Sequence, residues 1–164
     1  MIHRSGCPIN LTIEVLGDRW SVIVLRDMMF GNRRTYGELL NLSLERIASN
    51  ILAARMQHLL AEGLVTSAVD PSHKQRKIYS LTENAIQLVP AIVHLGAWGL
   101  QHTPSSPVLS IRARLLADGG PKLWEAFMSE LRYLHLGTAQ PQVSVLAELE
   151  TAYRAASEAA ISSA

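Results

Sequence analysis

Residues Thr35–Leu81 read TYGELLNLSLERIASNILAARMQHLLAEGLVTSAVDPSHKQRKIYSL. Thr35, followed three residues later by Glu38, is a capping box that opens a short helix carrying Tyr36, Leu39 and Leu40. Ser43–Arg46 links it to a second helix over Arg46–Ala61. There Leu52, Met56, Leu59 and Leu60 form one apolar stripe, and Ser49, Asn50, Ala53 and Gln57 fall on the opposite side. Glu62-Gly63 stops that helix. Leu64–Val69 then reads as a strand, Asp70–Arg76 as a polar basic loop, and Lys77–Leu81 as the returning strand.

Working outward, Pro8 opens a helix that Gly17 ends, and Asp18 caps the next, Arg19–Phe30, before the turn at Gly31-Asn32. After the hairpin, Thr82 caps a long helix to about His102 that Pro90 should kink, because proline removes a backbone donor. Thr103–Pro107 (TPSSP) has the composition of a linker. Three further helical segments follow: Val108–Ala117, Pro121–Leu136 and Pro141–Ala160. The expected fold is mainly α with a small β-hairpin. Residues 1–103 form a winged helix-turn-helix domain and 104–164 a C-terminal helical extension.

That order of elements has a mechanical meaning. In a winged helix-turn-helix, the helix before the hairpin enters the major groove of double-stranded DNA and the wing lies along the backbone or minor groove. Ser49, Asn50, Ala53 and Gln57 are small or carry amides, which permits close approach to base edges and pairing with adenine. Arg33 and Arg34, just before the short helix, are placed for phosphates, and Thr35 and Arg46 are further candidates for contact with DNA. Lys74, Arg76 and Lys77 make the wing basic. Read singly, each feature has a plain alternative: a solvated turn, an amphipathic helix face, a capping threonine. Only their order along the chain points to DNA.

The chain has 164 residues, 15 Lys and Arg against 14 Asp and Glu, and one cysteine. A chain of this length buries enough surface to fold without disulfides or metals. A hydrophobic fraction of 48% argues against global disorder. One cysteine excludes an intramolecular disulfide framework and fits a cytoplasmic protein. Met1–Pro8 lacks the apolar region of a secretory signal. Between Asn84 and Ile111 there is no Asp, Glu, Lys or Arg. The apolar part, Ile86–Leu100, is shorter than the ~20 residues of a bilayer span and contains Gln87, Pro90 and His94, so no membrane partner is expected. A helix apolar on more than one face needs cover on more than one, and a second copy of the chain is the simplest cover.

The sequence also resembles the HxlR-type bacterial transcriptional regulators, a branch of the winged-helix regulators related to the MarR type. The residues that carry the likeness are Cys7-Pro8-Ile9, Gly17–Trp20 (GDRW), Leu25-Arg26, Tyr36-Gly37-Glu38-Leu39, Ile47–Met56, Leu60–Val65 (LAEGLV) and Tyr79–Thr82 (YSLT), followed by Pro90 and Trp98. It covers about Cys7–Gly99, departs from the family at Ala85, where glycine is usual, and leaves some sixty further residues outside it. The resemblance implies a dimeric DNA-binding repressor or activator with recognition helix Ile47–Ala61 and wing Val65–Leu81. It makes the first helix and Thr82–His102 the dimer helices, with Ile9, Ile13, Ile86, Val89, Val93 and Trp98 at the contact.

Cys7 sits where some members of that family carry a cysteine that senses oxidants or electrophiles. A helix N-terminus, with Arg4 nearby, lowers a thiol pKa. The alternative is a cysteine that simply packs near the dimer contact. His3 and Cys7 have i,i+4 spacing, but the remaining histidines form no ligand cluster, so no metal is expected. There is no Gly-rich phosphate loop, GxSxG or HExxH, hence no catalytic residue, no enzyme and no cofactor. The function expected is a sequence-specific, homodimeric transcriptional regulator on a pseudo-palindromic operator, responsive to an electrophile, a redox change or a small-molecule effector. The competing reading is a helical protein-interaction or small-molecule-sensing module without DNA binding, built on the extension that carries Leu115, Leu116, Leu123, Trp124, Phe127, Leu131 and Leu134.

Overall fold

The computed structural model describes residues 5–162. Asp18 shows how the local sequence sets the first elements. Its carboxylate accepts from the backbone N–H groups of Trp20 and Ser21, each at 2.9 Å, and so starts α2 (Arg19–Gly31) directly after α1 (Pro8–Leu16). Asn32, left-handed at φ 45°, ends α2. Thr35 and Glu38 form the expected capping box of α3 (Tyr36–Asn41). The helix expected to read DNA, α4, spans Ser49–Ala61, shorter than expected at its start, because Arg46 is left-handed (φ 53°) and lies in the connection.

The hairpin pairs β1 (Val65–Asp70) with β2 (His73–Leu81) in antiparallel register, Val65 opposite Leu81 and Val69 opposite Lys77. The expected basic loop is therefore mostly strand. The turn is only Pro71-Ser72, and Asp70 pairs next with His73, so Lys74–Arg76 bulge out of the ladder. Leu25, Met28 and Met29 from α2, Leu39 from α3, Leu52, Met56 and Leu59 from α4 and Leu81 from β2 are buried together in the core.

The chain divides into two compact units between Ala85 and Ile86. The second begins within α5 (Glu83–Ile86) and continues as α6 (Val89–His102), α7 (Pro107–Leu136) and α8 (Val145–Ser162). Two expectations change here. Pro90 does not kink a long helix. The chain turns at Gln87-Leu88, and Pro90 sits in the first turn of α6, where its missing N–H costs nothing. The two segments expected on either side of Gly119-Gly120-Pro121 run on as α7, broken at Gly120, whose φ 62° and ψ −164° only glycine adopts readily. The Trp124 indole N–H donates to the Leu116 carbonyl across this break at 2.6 Å.

Helix α8 starts four residues later than expected because its cap is Ser144, whose Oγ accepts from Ala147 N–H at 3.0 Å. The buried Glu130 of α7 accepts from the Ser144 hydroxyl and from Leu146 N–H, fixing that start. Arg112 joins Glu150 at 2.5 Å and lies over the Tyr153 ring, 4.2 Å from its centre, so α7 and α8 are tied by charge as well as by Phe127, Leu131 and Leu149. No helix among the described residues is long and apolar enough to cross a membrane.

Candidate nucleic-acid interface

The turn between α2 and α4 is held by charge. Arg26 of α2 makes a bidentate pair with Glu45 (2.6 and 2.7 Å) and also donates to the buried Asp27 at 2.7 Å. Hydrogen bonding from Arg26 pushes the Glu45 carboxyl down to about 2. Arg33 takes the other Asp27 oxygen at 2.6 Å. The Tyr36 hydroxyl donates to the Ser49 carbonyl at 2.6 Å, joining α3 to the first turn of α4. On the inner side of α4, Arg55 pairs with Asp18 at 3.0 Å and the His58 ring meets the Val15 carbonyl at 2.8 Å.

With Leu52, Met56 and Leu59 buried, the outer face of α4 presents Ser49, Asn50, Ala53, Ala54 and Gln57, all exposed. Its N-cap is the exposed Ala48, which has no side chain to cover the first amides. Arg46 precedes it, exposed and without an ion-pair partner among the described residues. Lys74 and Lys77 are likewise exposed and unpaired on the wing. Arg76 is half exposed and folds back on Asp70 at 2.5 Å. The Asp70 carboxyl also accepts from the Ser72 N–H (2.8 Å) and hydroxyl (2.7 Å). Those Ser72 bonds first, and Arg76 after them, hold it at about 2.

Besides Arg76, three residues expected to touch DNA have other partners. Arg33 is bound to Asp27. The Arg34 side chain donates to the Tyr79 carbonyl at 3.2 Å and to Ser80 Oγ at 2.5 Å. Thr35 Oγ1 donates to Glu38 and accepts from its N–H, completing the cap. The acids that engage Arg33 and Arg76 are Asp27 and Asp70, each six residues before its arginine and so outside the i+3 and i+4 spacings at which a helix pairs charges.

Of the residues expected at the dimer contact, Ile86, Val89 and Val93 are buried within the chain itself, at 3% exposure or less. Ile9 and Ile13 on α1 and Trp98 on α6 are 58–71% exposed. Leu95, 60% exposed on α6, was not singled out in the sequence, although it lies three residues before Trp98 and so on the same helix face. Cys7 is exposed at the N-cap of α1, where the amides of Asn10 and Ile9 lower its thiol pKa. His3 and Arg4, invoked beside it, lie outside the described residues. Among the described residues no group of His, Cys, Asp and Glu could hold a metal ion.

Comparison with known proteins gives the same outline. The model of the HxlR-like helix-turn-helix family matches residues 15–107. The chain belongs to the HxlR-like helix-turn-helix family. It is 32% identical over 70% of its length to an HTH-type transcriptional regulator of Synechocystis sp., covering 82% of that relative. A regulator of the same description from Mycobacterium bovis is 34% identical over 67% of this chain and 70% of its own. Among solved structures, PA1607, a candidate transcription factor, is 32% identical, covers 63% of this chain and 70% of its own, and superposes with a TM-score of 0.56. The oxidized redox regulator HypR is 26% identical, with 60% of this chain and 100% of that chain covered and a TM-score of 0.52. Like the HxlR-like relatives, the protein is a DNA-binding transcriptional regulator and not an enzyme.

Proposed function

We propose that the protein acts in the cytoplasm as a homodimer that binds a pseudo-palindromic operator, each α4 lying in the major groove and each wing along the flanking backbone. The observation that carries this reading is the outer face of α4, where Ser49, Asn50, Ala53 and Gln57 are exposed together beyond an N-terminus without a side-chain cap. Asn50 and Gln57 supply the amides that pair with adenine, and Ser49 and Ala53 allow the approach. Arg46, Lys74 and Lys77 are the free cations for phosphates, with Arg76 joining by exchanging Asp70 for a phosphate oxygen. Residues 1–103 carry DNA binding and dimerisation and 104–164 are an appended module, a division supported by the family match ending at 107.

The wing gives the first test. A dimer neutralising about 8 phosphates loses affinity with salt at a log–log slope of roughly −7. Arg76→Ala with Lys77→Ala removes two cations from each wing, so a gel shift across a salt series shows weaker binding to every duplex and a slope flatter by up to about 3.6. An unchanged slope and affinity exclude the wing from the backbone.

Cys7 is the point at which we place a response to oxidants or electrophiles, supported by its exposure, its lowered pKa and the likeness to the redox regulator HypR. With one cysteine per chain, oxidation by peroxide gives a sulfenic acid that condenses with a second thiol, releasing water, to a disulfide between chains or with a small thiol. Cys7→Ser keeps operator affinity and removes the effect of hydrogen peroxide on it. A peroxide effect that survives the substitution ends this assignment.

A further inference from the structure

Arg34 is gripped from two directions by β2. Its carbonyl accepts from the Tyr79 N–H at 2.7 Å, while its Nε donates to the Tyr79 carbonyl at 3.2 Å and its terminal nitrogen to Ser80 Oγ at 2.5 Å. Tyr79 and Ser80 lie opposite Ser67 and Thr66, so these bonds extend the two-stranded ladder by one rung on its outer edge. Among the described residues the hairpin has no third strand, and beyond Lys77 its pairing is already broken by the bulge at Lys74–Arg76. A two-stranded ribbon on its own holds its direction poorly. The same Arg34 backbone is fixed at the other end, where its N–H donates to Glu38, the capping residue of α3, at 3.0 Å. One residue thus joins the start of α3 to the strand that carries Lys77.

We propose that Arg34 is a positioning residue for the wing, acting on DNA through Lys74 and Lys77 and not through a phosphate of its own. Its guanidinium is spent on two acceptors of β2, which sets the angle at which the wing leaves the helix-turn-helix. A lysine at this place keeps the charge but has a single nitrogen, which cannot reproduce the fork that spans Tyr79 O and Ser80 Oγ.

The inference rests on the DNA-binding reading above, and two measurements keep them apart. The first is a double-mutant cycle on duplex affinity. Arg34→Ala weakens binding about tenfold with the native wing, but less than twofold when Lys74, Arg76 and Lys77 are already alanine, because the wing then has no cation to deliver. Equal losses in both backgrounds mean that Arg34 touches phosphate itself, and the proposal falls. The second is amide hydrogen exchange without DNA. Arg34→Lys, the milder variant, speeds exchange in the hairpin and leaves the α4 amides as they were. Unchanged hairpin exchange in Arg34→Lys overturns the proposal even if Arg34→Ala does not fold. Failure of the native protein to hold any duplex overturns the DNA-binding reading, and the exchange experiment still decides whether Arg34 sets the wing.

Discussion

Replacing Trp98 with Glu, or Ile13 with Glu, should turn the proposed homodimer into a monomer and lower operator affinity about 100-fold or more. Trp98 and Leu95 stand 60% exposed on α6, and Ile9 and Ile13 are 71% and 58% exposed on α1, each pair on its own helix. Apolar area of this kind is left in water at a cost of roughly 25 cal/mol per Å², which the second copy of the proposed homodimer would remove. A carboxylate in its place must be desolvated without a partner for the dimer to form. Two half-sites held by one dimer bind with an effective concentration that separate monomers lack, and that is where the 100-fold arises. Because both side chains are exposed, the fold should survive. Sedimentation velocity reports the mass and a gel shift the affinity. A variant that remains dimeric places the contact elsewhere.

Arg26→Ala should destabilise the protein by about 2–3 kcal/mol, a drop in melting temperature of about 5–10 °C. The substitution removes both bonds to Glu45 and leaves the buried Asp27 with Arg33 alone. Arg26 and Glu45 retain 31% and 25% side-chain exposure, which keeps the cost below that of a fully buried pair. The pH dependence follows from the direction of the shift. The carboxyl of Glu45 is held at about 2 against an ordinary 4.5, so the pair stabilises the native state above pH 4.5 and loses its contribution as pH falls from there toward 2. The gap between native protein and variant should therefore be widest near neutrality and close in acid. A gap that is flat across this range would assign the loss to packing instead of to the ion pair.

How much of this was legible depended on range. Asp18, Thr35 and Glu38 act on amides two or three residues away, and their caps could be read directly from spacing. Val65–Leu81 pairs locally through a short turn, so the hairpin was legible too, though not the bulge that carries Lys74–Arg76. Charges were harder. Arg33 and Arg34 look like phosphate ligands in sequence, yet Asp27 and the Tyr79 carbonyl take them in the fold, the latter from 45 residues away. In sequence Ile86, Val89 and Val93 look like a face for a partner, because an uncharged helix gives no sign of which side its own chain will cover. Pro90 misled for a related reason: proline either kinks a helix or begins one, and only the turn at Gln87-Leu88 decides.

The central claim is that paired α4 faces read a symmetric site. It is tested most directly by selecting duplexes from a random pool with the native protein and repeating the selection with Asn50→Ala and Gln57→Ala together. The account predicts that the native protein enriches a pseudo-palindrome with half-sites about one helical turn, or a multiple of it, apart, and that the double variant still binds duplex but loses the preference within each half-site. Enrichment of the same sequence by both proteins, or of a site without two-fold symmetry, would contradict it.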